Sequence, residues 1–504
     1  MPAAGDDITV HVEWLARRLT QQQEDAAATE QDRIMVSTHR VSRVPGHVRI
    51  PNPDAYTPGL VAIGPLHAKD AERRLRPGNR LKMAYLHSLI SRGHPDPAGH
   101  LGIIQGYVRL AAAREREARA MYAAEDVDDV RAEDLIQMLV LDGCFILQHL
   151  VNVATGKEEQ SLHATPFGPA QLSVDLILAE NQIPFFVLAD LISSTRLPEF
   201  DSTGYAPPVL LMKLALYYLG GEKGRDMSEA LPPADVVCHI LHLLHAMVSA
   251  ARTRWEPPPR IQDGATLEMM QEAARLLRRL PVLLLVPLLY PILPEERRWR
   301  ASYGREDLPS ASDLKRMWVQ FKKARGGSSS KAPAGIASVL GPVPLAVKLA
   351  HEDRLRLPQL RIEFRTAPLL LNLMAFEQSA EQRAGAVSAY VWLMAKLAQS
   401  AEDAGVLVAA EVVQSSTAGN ESKEDVARFF RQVGAASEAA GELEKSYLGQ
   451  TLQKLRERSQ HPLFMMWADV QRNYFTVPWA VVAEFVALIT FISTILQTYG
   501  SFKH

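Results

Sequence analysis

The chain has 504 residues, 47% of them hydrophobic, with 55 Lys and Arg against 57 Asp and Glu and a formal net charge of −2. That length suffices for one large domain or two ordinary ones with sizeable cores. The charge balance excludes the basic excess of a nucleic-acid binder. Two cysteines, Cys144 and Cys238, stand far apart in apolar helical patterns, which argues against a disulfide framework and for a reducing compartment.

Residues 1–34 open acidic and carry no apolar run of signal-peptide length. HVEWLARRL predicts one short amphipathic helix there, and the Gln, Glu and Ala run behind it is expected to be solvated. From about 81 to 300 the apolar period is helical. RLKMAYLHSLISRG predicts a helix stopping at Gly93, and HLGIIQGYVRLAAAREREARAMYAAE predicts one long helix. AEDLIQMLVLDGCFILQHLVNVATG predicts an apolar helix ending at Gly156. Further helices are expected over 175–192 and 208–219, then in ADVVCHILHLLHAMVSAART and TLEMMQEAARLLRRL. PVLLLVPLLYPILP holds four prolines and reads as a kinked core segment.

A polar region from 295 to 335 includes RGGSSSKAPAG and suggests a sub-boundary. LPSASDLKRMWVQFKK predicts a short helix with Ser and Asp cap candidates. AVKLAHEDRLRLPQLRIEF alternates like strand, as in a hairpin. Helical patterning resumes at Thr366.

VPWAVVAEFVALITFISTILQTY, residues 477–499, is long enough to cross a bilayer. Its 11 Val, Leu, Ile and Phe residues contribute about −3 to −6 kcal/mol, against roughly +3 for a central acid such as Glu484. Pro478 and Trp479 open the span and Tyr499 closes it. Lys454, Arg456, Arg458 and Arg472 precede it, so the bulk of the chain is expected to face the cytosol. Residues 500–504 are then expected to form a short tail, the layout expected of a tail-anchored protein.

The chemistry-bearing motifs are sparse. GGEKGRD lacks phosphate-loop spacing. His239, His242 and His245 share a helical spacing but lack further ligands, so no metal site is expected. Cys144 sits mid-helix among apolar residues, unlike an activated nucleophile. In DLILAENQIPFFVL, three polar residues, Glu180, Asn181 and Gln182, stand between apolar runs. Pro184 ends the helical conformation there and leaves free carbonyls. A buried polar clasp at a helix end is expected: the amides donate to carbonyls and Glu180 accepts from an Arg or from backbone N–H groups.

The same stretch resembles the signature of a plant-specific family, "domain of unknown function 247". The resemblance covers about 40 to 502. RVPGHVRIPNPDAYTPGLVAIGPLHAKD carries Tyr56, Gly64, Pro65 and His67. Lys82, EARAMY and QMLVLDGCFIL with Asp142 follow, then the Glu180–Pro184 stretch. TAPLLLNLMAFEQ carries Asn372, Glu377 and Gln378, and the 477–499 stretch is similar to the family's C-terminal anchor. Leu66 replaces a usual Tyr, and Glu484 is unusual in the anchor.

The resemblance implies no catalytic, cofactor-binding or metal-binding residues. It implies a role in recognition, with some grass members implicated in pollen–stigma self-incompatibility. The motif residues are read as a structural clasp.

The expected architecture is mainly α: a large multi-helix globular domain (35–476), a few short strands and one C-terminal transmembrane helix. The expected function is non-enzymatic recognition or signalling at the plasma membrane or an endomembrane, with the bilayer and an unidentified protein as partners, no cofactor, and homo-oligomerisation left open. One rival is an enzyme using the motif carboxylates and His67, which needs an open pocket lined by His67, Glu180 and Glu377. The other is a membrane scaffold without partner specificity.

Overall fold

Helix α6, Ala132–Thr155, is the axis of the first half of the molecule. Its apolar residues cover nearly every face, as a core helix requires, and Gly156 closes it in the left-handed conformation at φ 66°. A computed structural model describes residues 41–69, 74–157, 162, 168–228, 231–249, 308–324, 345–350, 353–379, 385–415, 420–437, 446–473, 490 and 493–494. The chain divides into two units: Met1–Val248 with Ser329–Ser338 and Phe364–Val387, and Ser249–Ser328 with Val339–Glu363 and Ser388–His504.

In the first unit the described helices are α1 Gly46–Arg49, α2 Arg76–Gly93, α3 His100–Ala113, α4 Glu115–Ala120, α5 Ala124–Val127, α6, α7 Gly168–Asp175, α8 Phe185–Ser193, α9 Pro207–Asp226, α10 Ile240–Ser249 and α12 Thr366–Ser379. Helices α2, α3, α8 and α9 pack on α6. Gly143 lets α8 approach, because a Cβ there would meet the Leu191 methyl at 2.4 Å. The single long helix expected from His100 is three pieces. It breaks at Arg114, and again where Val41 N–H takes the Met121 carbonyl at 2.7 Å. The helix expected over 175–192 is also divided, leaving 176–184 as turns between α7 and α8. His239 precedes α10 and is not on it.

The second unit has α11 Ala311–Arg316, α13 Ala386–Leu397 from Ser388 onward, α14 Ala401–Ala409, α15 Asn420–Ala435, α16 Gly449–Gln460 and α17 Pro462–Asn473. Its strands are β1 Gln320–Lys323, β2 Lys348–Ala350, β3 Arg354–Leu357, β4 Leu360–Ile362 and β5 Val413–Ser415. Strand β3 pairs antiparallel with β2, a hairpin, and parallel with β1, giving the order β1-β3-β2. Strand β4 pairs parallel with β5. The QFKK end of the expected helix is therefore strand: Trp318 at φ 64° turns the chain out of α11. Ser400 and Asp403 form a capping box on α14, and Asp403 also accepts Ser312 N–H at 2.8 Å.

The molecule is mainly helical with a few short strands. Among the described residues α6 is the one helix long and apolar enough to cross a bilayer, and 72% of its most apolar window is buried inside the protein. Its place is the core. Of the span expected at 477–499, Thr490, Ser493 and Thr494 are described, as helical and exposed, and the rest, with Pro478, Trp479, Glu484 and Tyr499, lies outside the described residues, as do residues 1–34, the PVLLLVPLLYPILP stretch and the RGGSSSKAPAG stretch.

Candidate functional site: a buried polar clasp

Three consecutive side chains fill the turn between α7 and α8. Glu180, Asn181 and Gln182 are all buried. Gln182 Nε2 donates to the Leu176 and Leu178 carbonyls at 3.0 and 2.9 Å, and its Oε1 accepts Leu241 N–H at 3.1 Å. Asn181 Nδ2 donates to the Asp175 and Val61 carbonyls at 2.8 and 3.0 Å, and its Oδ1 accepts Ile63 N–H at 2.6 Å. These amides meet the orphan groups that an interrupted helix leaves inside a protein. Pro184 is the N-cap of α8 at φ −59°, ahead of the helical ladder, so its missing N–H removes no helical bond.

Glu180 closes the other side. Its Oε1 accepts Val44 N–H at 2.8 Å, and its Oε2 takes Arg49 Nη1 and lies 3.2 Å from His67 Nε2. Burial pushes this carboxyl up. The bonds from His67, Arg49 and Val44 outweigh that and bring it down to about 2. Tyr56 is buried beside this group. Burial first, then the Glu180 charge, raises its phenol well above the usual range.

Two further carboxylates hold the 59–64 segment. Asp175 accepts Gly59, Leu60 and Val61 N–H at 2.9, 2.7 and 2.8 Å, with Gln171 Nε2 at 2.9 Å. Asp142 accepts Gly64 N–H at 2.7 Å and pairs with Lys82. Burial pushes both carboxyls up, against these donors. Gly64 has φ 70°, and a Cβ there would lie 2.7 Å from the Gln182 carbonyl. Only glycine fits. Tyr122 donates to that same carbonyl at 3.0 Å. Pro65 and buried Leu66 continue the segment to His67.

Helix α12 completes the cluster. Asn372 accepts Ala179 N–H and donates to the Ala55 carbonyl, both at 2.7 Å. Glu377 accepts Val387 N–H at 2.9 Å and meets His245 Nε2 at 2.8 Å. Gln378, by contrast, is exposed. It lines a pocket of about 220 Å³ with Arg43, Val44, His239 and Phe376. The rings of His239, His242 and His245 all pack on Phe376, at 5.2 to 5.6 Å. Among the described residues no group of three or more His, Cys, Asp or Glu side chains is placed to hold a metal ion. Cys144 and Cys238 are free thiols, and burial pushes them up to about 12 and about 11.

The sequence pattern does not single out Asp175 or Arg49, and it does not pair His245 of the histidine spacing with Glu377. Asp175 follows Gln171 by one helical turn, a weak signal, while Arg49 carries none. The arrangement holds backbone segments together. His67, Glu180 and Glu377 are 2, 0 and 4% exposed, and none of them lines the neighbouring pocket.

A family model described as a plant protein of unknown function, DUF247, matches residues 41–493. UPF0481 protein At3g47200 from Arabidopsis thaliana is 24% identical over 462 residues, 91% of this chain and 85% of that protein. No solved structure matches.

Proposed function

This chain belongs to the DUF247 family of plant proteins of unknown function, and from that premise we propose a membrane-anchored recognition protein that acts through protein contacts, not catalysis. One observation carries the reading. The motif groups capable of acid–base chemistry, His67, Glu180 and Glu377, are sealed from solvent, and the two carboxylates spend their hydrogen bonds on backbone N–H groups, Arg49 and His245. A general acid or base needs access to substrate; a satisfied buried network rigidifies a fold. Their burial supports a scaffold whose surface does the work. The resemblance of the motifs adds self-recognition or defence as the setting.

The anchor of this reading is the 477–499 stretch, with the bulk of the chain facing the cytosol. Its support is length, composition and the basic residues before it. Truncation after Asn473 is expected to release the protein from the carbonate-resistant membrane fraction; retention there sinks the anchor.

Proximity labelling from the intact chain in plant cells tests the function. The expected result is a reproducible set of neighbouring proteins absent from a control carrying the anchor alone. Identical sets from both would reduce the protein to a scaffold without partner specificity.

A further inference from the structure

Strand β1 stands at the edge of its sheet. Gln320 N–H donates to the Asp353 carbonyl at 2.6 Å and Ala324 N–H to the Leu357 carbonyl at 2.7 Å. The two-residue alternation of a strand gives Lys322 the same sense. The N–H and C=O of Phe321 and Lys323 therefore face away from β3, toward an edge that no described strand occupies.

A groove of about 370 Å³ runs along that strand, with Val319, Phe321, Val406 and Ala409 among its apolar lining. A second cavity of about 460 Å³ shares Lys315 and Val406 with it and extends to Lys423. The polar rim is positive. Lys315 and Lys322 are exposed and form no ion pair among the described residues, while the acids nearby are already matched: Glu402 by Arg316 at 2.6 Å and Glu411 by Lys323. The backbone adds an independent mark. Among the described residues the two non-glycine residues with positive φ are Trp318 (64°) and Glu411 (55°). Trp318 lines the groove and Glu411 directly follows its Ala410 wall. Such strain gathers where a surface is shaped for use.

We propose that this groove docks an extended acidic segment of a protein partner, which adds a strand to the edge of β1 that no described strand occupies and sets its carboxylates against Lys315 and Lys322. The mode is strand addition: main-chain bonds supply affinity, and side chains facing the groove supply selection. The proposal rests on the protein-contact function above and names the chemistry of the partner. The four residues of β1 span about 13 Å, room for a short peptide segment.

The test uses the full chain in detergent micelles and two fluorescein-labelled decapeptides, alternating Val-Glu and alternating Val-Lys, read by anisotropy. The acidic peptide is expected to bind saturably and the basic one not at all. Lys315→Glu with Lys322→Glu should weaken binding at least tenfold, and Lys454→Glu, an exposed control, should not. Lys323→Pro deletes one outward N–H but no bond to β3, a place where an edge strand tolerates proline; because it also removes the Lys323 partner of Glu411, it is read against Lys323→Ala, which loses the same charge and keeps the N–H. The proline variant should weaken binding at least tenfold at an unchanged melting temperature. If it lowers the melting temperature, acidic peptide N-methylated at alternate residues replaces it, with the same loss expected. Equal binding of both peptides, no binding, or binding indifferent to loss of the backbone donors overturns the proposal. So does self-association of the chain that Lys323→Pro abolishes, which would make a second copy the occupant. In plant cells, a labelled set unchanged by the groove variants defeats the groove and leaves the contact function standing. A set no different from the anchor control defeats both.

Discussion

The side-chain carbonyl of Asn372 accepts the Ala179 N–H at 2.7 Å, across 193 residues of chain. The same amide donates to the Ala55 carbonyl at 2.7 Å. One buried side chain thus ties α12 to the turn after α7 and to the opening segment. A buried polar group left without its partner costs about 1 to 3 kcal/mol. Asn372→Leu strands the Ala179 N–H and the Ala55 carbonyl together, so a loss of about 2 to 6 kcal/mol is expected. Asn181→Leu, which strands Ile63 N–H and the Val61 and Asp175 carbonyls, should be at least as severe. Arg116→Leu on an exposed face should stay within about 0.5 kcal/mol. Urea unfolding of the three variants decides it; equal midpoints would refute the claim that the clasp holds the fold.

Gly64 offers a test that removes no hydrogen-bonding group. Its left-handed backbone and the Gln182 carbonyl 2.7 Å from any added Cβ make Gly64→Ala strained in two ways at once. The strain at a non-glycine residue in that region is of order 1 to 3 kcal/mol. Gly102→Ala has open space and a helical backbone, where alanine gains about 1 kcal/mol in propensity. The two alanines should therefore move the melting temperature in opposite directions.

Much of the helical framework is visible in the apolar period: α2, α6 and α12 stop or start at Gly93, Gly156 and Thr366, where the pattern does. Periodicity failed where a tertiary partner took over the backbone. ENQIP announces freed carbonyls and the amides that meet them, but nothing local shows that the acceptors are the carbonyls of 175, 176 and 178, so that turns replace the helix from 176 onward. The left-handed Trp318 is similar: an aromatic residue is a poor candidate for that conformation, so KRMWVQF reads as continuous helix. For the clasp, residue types and sequence order identify the acids and amides that end apolar runs. Apart from Val387 N–H, 10 positions from Glu377, their donors come from 59 to 193 positions away, a separation that one sequence does not encode in any local pattern.

The histidine face makes a chemical prediction. His239 Nδ1 accepts His242 N–H and His242 Nδ1 accepts Cys238 N–H, both at 3.2 Å, while His245 Nε2 faces Glu377. Rings occupied in this way and packed on Phe376 do not converge on a common point, as zinc requires of at least three ligands. Changing all three to Gln is expected to leave the zinc content of the purified protein unchanged by elemental analysis. Stoichiometric zinc that vanishes in the triple variant would overturn this.

The last prediction concerns acid. Glu180 is held at about 2 in the folded protein, against an ordinary glutamate near 4.3 when unfolded. A carboxyl depressed by folding stabilises the native state above its unfolded value, and that stabilisation disappears as pH falls through the folded one. The window is therefore about pH 4.5 down to about 2, and the two-unit gap corresponds to about 3 kcal/mol. Asp142 and Asp175, pushed upward by burial, act in the opposite sense and mask the total. A difference measurement isolates Glu180. Wild type minus Glu180→Gln should show a stability gap that is constant from pH 7 to 5 and shrinks toward pH 2. Arg49→Met removes one of the groups that hold the carboxyl down and should move the window upward. A gap that stays flat across pH 5 to 2 would mean that Glu180 is not held ionised by its Arg49, His67 and Val44 contacts.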